Sequence, residues 1–182
     1  MKQSIIALFL ILSFAACNNN GPDVTVQDPG KPVRDTLIHN IEMLEQQIST
    51  QQTVDYKFAA ELVAAYLDFF NNYPKDALAA DYLFKAGEVS MNIKQSEKAI
   101  EFLKKLIDLY PNYKKASFAL FLEGFIYETQ LRDMNKAKEI YTQVIQLYPN
   151  TRIADDAKAS IANLGKSDEE LIKEFEEKNK KK

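Results

Sequence analysis

Residues 79–111 read AADYLFKAGEVSMNIKQSEKAIEFLKKLIDLYP, and residues 116–149 read ASFALFLEGFIYETQLRDMNKAKEIYTQVIQLYP. Both stretches close on Tyr-Pro, and a third such pair precedes them. Tyr73-Pro74, Tyr110-Pro111 and Tyr148-Pro149 therefore put their prolines 37 and 38 residues apart. Five residues after each proline comes Ala79, Ala116 or Ala154, and thirteen after each comes Gly87, Gly124 or Ala162. Twelve residues before the second and third prolines stand Ala99 and Ala137. A fixed period of this length is the signature of stacked helical hairpins.

Each position has a physical job. Small residues at 87, 124 and 162 let two helix backbones approach where a larger side chain would hold them apart, and Ala99 and Ala137 do the same on the second helix of each hairpin. Pro74, Pro111 and Pro149 cannot continue a helix and so fix where the next repeat begins. Beyond Arg34 the chain holds only three prolines and three glycines in 148 residues, which favours helix throughout. The expectation is all-α, with about eight helices near 35–51, 55–71, 76–91, 95–109, 114–130, 134–147, 152–163 and 168–179. The third hairpin carries one extra residue between its helices, since Gly124 to Ala137 is thirteen positions and Gly87 to Ala99 is twelve.

These residues resemble the tetratricopeptide repeat (TPR) family, whose pattern runs W-x2-L-G-x2-Y, then A-x3-F, then P. The second hairpin offers Leu83, Ala86, Gly87 and Ser90, then Ala99, Leu103 and Pro111. The third offers Leu120, Glu123, Gly124 and Tyr127, then Ala137, Tyr141 and Pro149. Ser90 and Glu123 depart from the pattern, and the chain has no Trp. The resemblance implies a right-handed α-solenoid of antiparallel helix hairpins, with a degenerate repeat over 35–74, repeats over 75–111 and 112–149, and capping helices over 150–182. Other helical-hairpin repeats are the alternative. The period, longer than the usual 34, resembles that of envelope lipoproteins of the BamD and YbgF (Tol-Pal-associated) group.

Leu37, Ile41, Leu44 and Ile48 form one apolar stripe on the first helix. Its 4-3-4 spacing is compatible with a coiled coil, but two heptads are too few to hold one alone. Packing against Leu62, Tyr66 and Phe69 is preferred. At the other end, Gly165 is placed for a left-handed helix cap, and Ser167-Asp168-Glu169-Glu170 reads as a capping box. The last helix is expected to be a solvated cap that closes the solenoid.

The N-terminus has a different character. Met1–Cys17 reads MKQSIIALFLILSFAAC, a basic start followed by the apolar run Ile5–Ala16. Twelve residues of helix reach roughly 18 Å, short of the ~30 Å hydrocarbon core, so residues 1–16 read as a signal peptide rather than a membrane span. Phe14-Ala15-Ala16-Cys17 resembles a bacterial lipobox, which implies lipidation at Cys17. An ordinary secretory signal with an incidental Cys is the alternative. Residue 18 is Asn rather than Asp, which favours the outer membrane, facing the periplasm. Residues 17–34 then form a Gly- and Pro-rich tether that spans at most ~55 Å. Asp35-Thr36-Leu37 also resembles an acceptor triplet for O-linked glycans.

The inventory of reactive groups is short. The formal net charge is −3, which gives no footprint for nucleic acid. One Cys and one His exclude a disulfide framework and a clustered zinc site. His39 reads as a surface residue in the first helix. The body has no glycine-rich phosphate loop, nucleophile elbow or calcium loop. No cofactor, metal, catalytic residue or small-molecule substrate is expected.

What remains is binding. The TPR resemblance implies an inner surface lined by the first helix of each hairpin, with ligand-facing positions at Asp81, Phe84, Glu88, Met91 and Asn92, then Phe118, Phe121, Phe125, Glu128 and Thr129. Aromatics flanked by acids suit a peptide whose apolar anchors alternate with basic groups. The alternative is that the third hairpin's first helix, apolar nearly all round through Leu120, Leu122 and Ile126, is simply buried. The expected function is a non-catalytic envelope lipoprotein that binds other envelope proteins or peptides, in outer-membrane protein assembly or Tol-Pal organisation. A structural adaptor or homo-oligomer assembling through Leu37–Ile48 is the other reading.

Overall fold

The computed structural model describes residues 32–50 and 55–180. The signal peptide, Cys17 and all but the end of the tether lie outside the described residues. Among those described there are eight helices and no strand: α1 Arg34–Ser49, α2 Tyr56–Asn72, α3 Ala79–Asn92, α4 Ser96–Leu109, α5 Ala116–Thr129, α6 Met134–Leu147, α7 Arg152–Asn163 and α8 Asp168–Lys180. Each helix from α1 to α6 packs on the next in chain order, and α5 also touches α7. This is the TPR-like solenoid of antiparallel hairpins.

The Tyr-Pro pairs set the period. Tyr73, Tyr110 and Tyr148 each cap a helix with nearly the same backbone, φ near −130° and ψ of 53°, 60° and 50°. A following proline excludes the α conformation from the residue before it, so the helix stops there. Each tyrosine N–H still donates to the carbonyl four residues back, at 2.8–2.9 Å. The side chains then bind one repeat to the one before: the Tyr73 hydroxyl donates to the Pro32 carbonyl at 2.6 Å, and the Tyr110 hydroxyl donates to the Pro74 carbonyl.

Small residues set the depth of packing. A Cβ on Gly87 would stand 2.8 Å from the Leu103 side chain, and one on Gly124 would stand 2.7 Å from the Tyr141 ring. Ala99 and Ala137 are fully buried. The extra residue of the third hairpin is taken up in its turn, which runs over 130–133 where the second hairpin uses 93–95. Both turns pass through one residue of positive φ, Lys94 at 61° and Arg132 at 57°.

The α1 stripe is turned into the chain. Leu37 and Ile41 are buried, and Leu44 and Ile48 lean on the same cluster as Leu62, Tyr66 and Phe69. The C-terminal end departs from expectation. Ala162 is exposed rather than packed. Ala154 and Ala157 anchor α7 to the stack, but α8 does not lie along α7, so no helix approaches Ala162. Gly165 does have φ +78°, and Ser167 and Glu170 exchange the two bonds of a capping box at 2.8 and 3.2 Å. The solenoid thus ends at α7, and α8 extends from it as a polar helix with Ile172 60% exposed.

Candidate interaction site

The inner face is built from α1, α3, α5 and, at its end, α7. On α3 the face is closed by charge. Phe84 is fully buried, its ring 6.1 Å from those of Tyr113 and Phe118, and the Lys115 ammonium sits 4.3 Å above its centre. It is therefore not available to a ligand. The turn leading into α5 brings Tyr113 and Lys115 over it, and the first-helix position that ought to point outward is covered by the next repeat. Asp81 is engaged in the same junction, accepting from the Tyr113 hydroxyl and lying 3.7 Å from Lys114.

Lys85 donates to Glu45 of α1 at 2.6 Å and lies over the rings of Tyr66 and Tyr82 at 5.8 and 5.7 Å. Glu88 is half-buried. Burial pushes its carboxyl above the ordinary value, against the pull of Lys115 and Lys85. Met91 leans on the core, and Asn92 is exposed at the helix end. Gln130 ties this end to the next repeat, donating to the Met91 carbonyl at 3.0 Å and accepting from Ser96 at 2.6 Å.

On α5 the face stays open. Phe118, Phe121, Phe125 and Glu128 follow a 3-4-3 spacing and form one stripe, while Ala119, Leu120, Leu122 and Ile126 are buried on the other sides. The rings of Phe118 and Phe121 are nearly parallel, 6.4 Å apart, and Phe121 lies 5.2 Å from Tyr141. Phe125 is 38% exposed. One turn further on, Glu128 accepts from the Tyr141 hydroxyl at 2.7 Å. Burial and that carboxylate together hold the phenol well above its usual value, so Tyr141 remains the donor. Thr129 is exposed, its hydroxyl turned back onto the Phe125 carbonyl at 2.7 Å. The fully buried reading of α5 thus holds for three of its sides and fails for the fourth.

The structure brings Phe121, Phe125, Glu128 and Thr129 together and removes Phe84. Position counting missed Glu45, Lys85, Tyr113 and Lys115, which neutralise or cover the α3 half. These residues lie on α1, on an unassigned α3 position and in the Pro111–Ala116 turn, so a rule applied repeat by repeat had no means of choosing them. Among the described residues no group of three His, Cys, Asp or Glu could hold a metal ion, and no helix is long and apolar enough to cross a membrane.

Residues 81–113 and 118–151 match the family described as tetratricopeptide repeat. Among solved structures, the second TPR domain of human RPAP3, determined by NMR in complex with the HSP70 peptide SGPTIEEVD, is similar at 17% identity, with a TM-score of 0.50 over 71% of this chain and 98% of that one. The crystal structure of MamA is similar at 17% identity and a TM-score of 0.38, over 82% of this chain and 98% of that one. No curated protein matches. With the period, the Tyr-Pro caps and the close contacts at Gly87 and Gly124, the family match makes α3–α4 and α5–α6 two tetratricopeptide repeats in a solenoid of the TPR type.

Proposed function

We propose that this protein is a non-catalytic scaffold of the bacterial cell envelope that holds an extended or helical peptide of another envelope protein against α5. The observation that carries the reading is the stripe of Phe118, Phe121, Phe125 and Glu128, an aromatic row left partly open on a helix otherwise buried. Half-open rings supply apolar contact area at low entropic cost, and a carboxylate at the end of the row selects a basic neighbour to the anchor. The RPAP3 domain was solved with a peptide ending Glu-Glu-Val-Asp. The Glu128 carboxylate at the end of this row favours a peptide of opposite sign.

Envelope placement rests on the N-terminal sequence, with Cys17 as the lipidated residue and the outer membrane as the destination. Outer-membrane protein assembly and Tol-Pal organisation are the roles that the lipoprotein resemblance supports.

Two experiments test the reading. A photo-crosslinking residue at position 125 of the full chain in cells should yield a discrete adduct with an envelope protein. That adduct should fall about tenfold or more when Phe121→Ala or Glu128→Gln is added, the scale of a disrupted hot spot. An adduct pattern unchanged by both substitutions would remove the groove. Separately, Cys17→Ser should move the protein from the membrane to the soluble fraction, and continued membrane association would remove the lipid anchor.

A further inference from the structure

On the side away from the peptide face, α4 and α6 flank a cleft of about 500 Å³ floored by α5. Ile107, Leu120, Ile140 and Leu147 supply the apolar part of its lining, the last of these 63% exposed, and Tyr127, Gln143 and charged residues supply the rest. At its floor stands Glu123, only 2% exposed. Among the described residues its carboxylate forms no hydrogen bond or ion pair. Lys136, the nearest candidate on α6, is bound to Glu139 at 2.9 and 3.0 Å. Lys104 and Asp108 complete the rim from α4. With Lys136 and Glu139 bound to one another, Lys104, Asp108 and Glu123 leave the cleft one net negative charge.

We infer that this cleft receives a lysine side chain from a partner protein, its alkyl stem along Ile107, Leu120 and Ile140 and its ammonium on the Glu123 carboxylate. A buried carboxylate without a partner is costly, and a donor that enters with its own positive charge relieves that cost directly. Apolar side chains beside a buried carboxylate match a side chain that is apolar along its stem and charged at its tip. Burial raises the Glu123 carboxyl above its ordinary value, against the opposing pull of Lys104 and Lys136. This site is separate from the α5 stripe and is occupied or empty whatever that stripe binds.

The test uses the full-length 13C,15N-labelled protein, titrated with Nα-acetyl-lysine amide and, in parallel, with its uncharged norleucine analogue. The lysine compound should give saturable amide shifts around Glu123, Tyr127 and Ile140. Glu123→Gln should weaken that binding at least about tenfold, the ratio that 1.4 kcal/mol of lost ion-pair energy gives. Lys105→Gln, outside the cleft, should leave it unchanged. Saturation should also lower the titration midpoint of the Glu123 carboxyl carbon in wild type, a reading that does not depend on any variant folding. Equal binding of norleucine, equal binding by Glu123→Gln, an unmoved midpoint, or no saturable shift with either compound would each overturn the assignment.

Discussion

The two central repeats share a backbone plan and differ in what they leave open. On α3, Lys115 caps Phe84 and Lys85 bridges Glu45 to the rings of Tyr66 and Tyr82, so the inner face is sealed by cations on aromatic rings. On α5, Phe125 is left 38% exposed at the end of the aromatic row. Phe84 and Phe121 hold the same repeat position, the one fully buried and the other half-buried, and Phe125 stands where α3 has Glu88. The segments that follow differ in kind: Lys115, four residues after Pro111, lies over the Phe84 ring, whereas the residue four after Pro149 is Ile153, which packs on the Tyr141 cluster beside Phe121.

The largest expected effect breaks that comparison most directly. Phe84→Ala should destabilise the protein by about 3–5 kcal/mol, the cost of emptying a fully buried aromatic site. Phe125→Ala should cost well under 1 kcal/mol in the same chemical denaturation series, because the ring is already part-exposed. Similar losses for the two would mean that α5 is buried like α3 and that no open stripe exists.

Next in size are the glycines. Gly124→Leu should cost about 3 kcal/mol through overpacking against the Tyr141 ring, and Gly87→Leu should cost a comparable amount against Leu103. Tyr141 is also the donor to Glu128, so only the substitution at position 124 should reduce peptide capture along with stability. Thermal unfolding and crosslinking at position 125 check both halves. An unchanged melting temperature at position 124 would refute the repeat register.

Much of this was legible in the sequence, and the parts that were not have a common cause. The Tyr-Pro spacing and small-residue offsets act within one repeat, and helix boundaries read from them fall within three residues of those observed. The burial of Phe84 and the exposure of Ala162 depend on neighbouring segments: one is covered by the next repeat, and the other lacks the helix that would have covered it. The two departures from the repeat pattern carry information of their own. Ser90 and Glu123 are both buried polar residues whose side chains lack a hydrogen-bond partner among the described residues.

Those two residues give smaller effects of different origin. Ser90→Ala removes an unpaired buried hydroxyl and should stabilise by about 1 kcal/mol, or roughly 2–4 °C for a chain of this size. Glu123 has a carboxyl value raised on folding, so the folded state binds its proton more tightly than the unfolded state does. Its ionised form therefore weighs against stability at neutral pH, and that burden lifts as pH falls through the raised value. Glu123→Gln should melt higher than wild type at pH 7, and the gap should vanish below the unfolded value of 4.5. A gap independent of pH would mean that the charge itself is not the cost.

The smallest expected effect returns to what the two repeats have in common. Lys94 and Arg132 occupy equivalent turns 38 residues apart, with φ of 61° and 57°. A side chain in this left-handed region carries a steric penalty that glycine avoids, partly offset by the extra freedom glycine has in the unfolded chain. Each single change to glycine should thus stabilise by about 0.5–1 kcal/mol, with no effect on capture by α5. The two gains should be equal and additive, because the turns share their backbone and their side chains are exposed and distant from one another. If Arg132→Gly gains nothing while Lys94→Gly gains the full amount, the longer turn over 130–133 has already relaxed its strain. The extra residue of the third hairpin would then be a second real difference between the repeats, beyond the cover over α3.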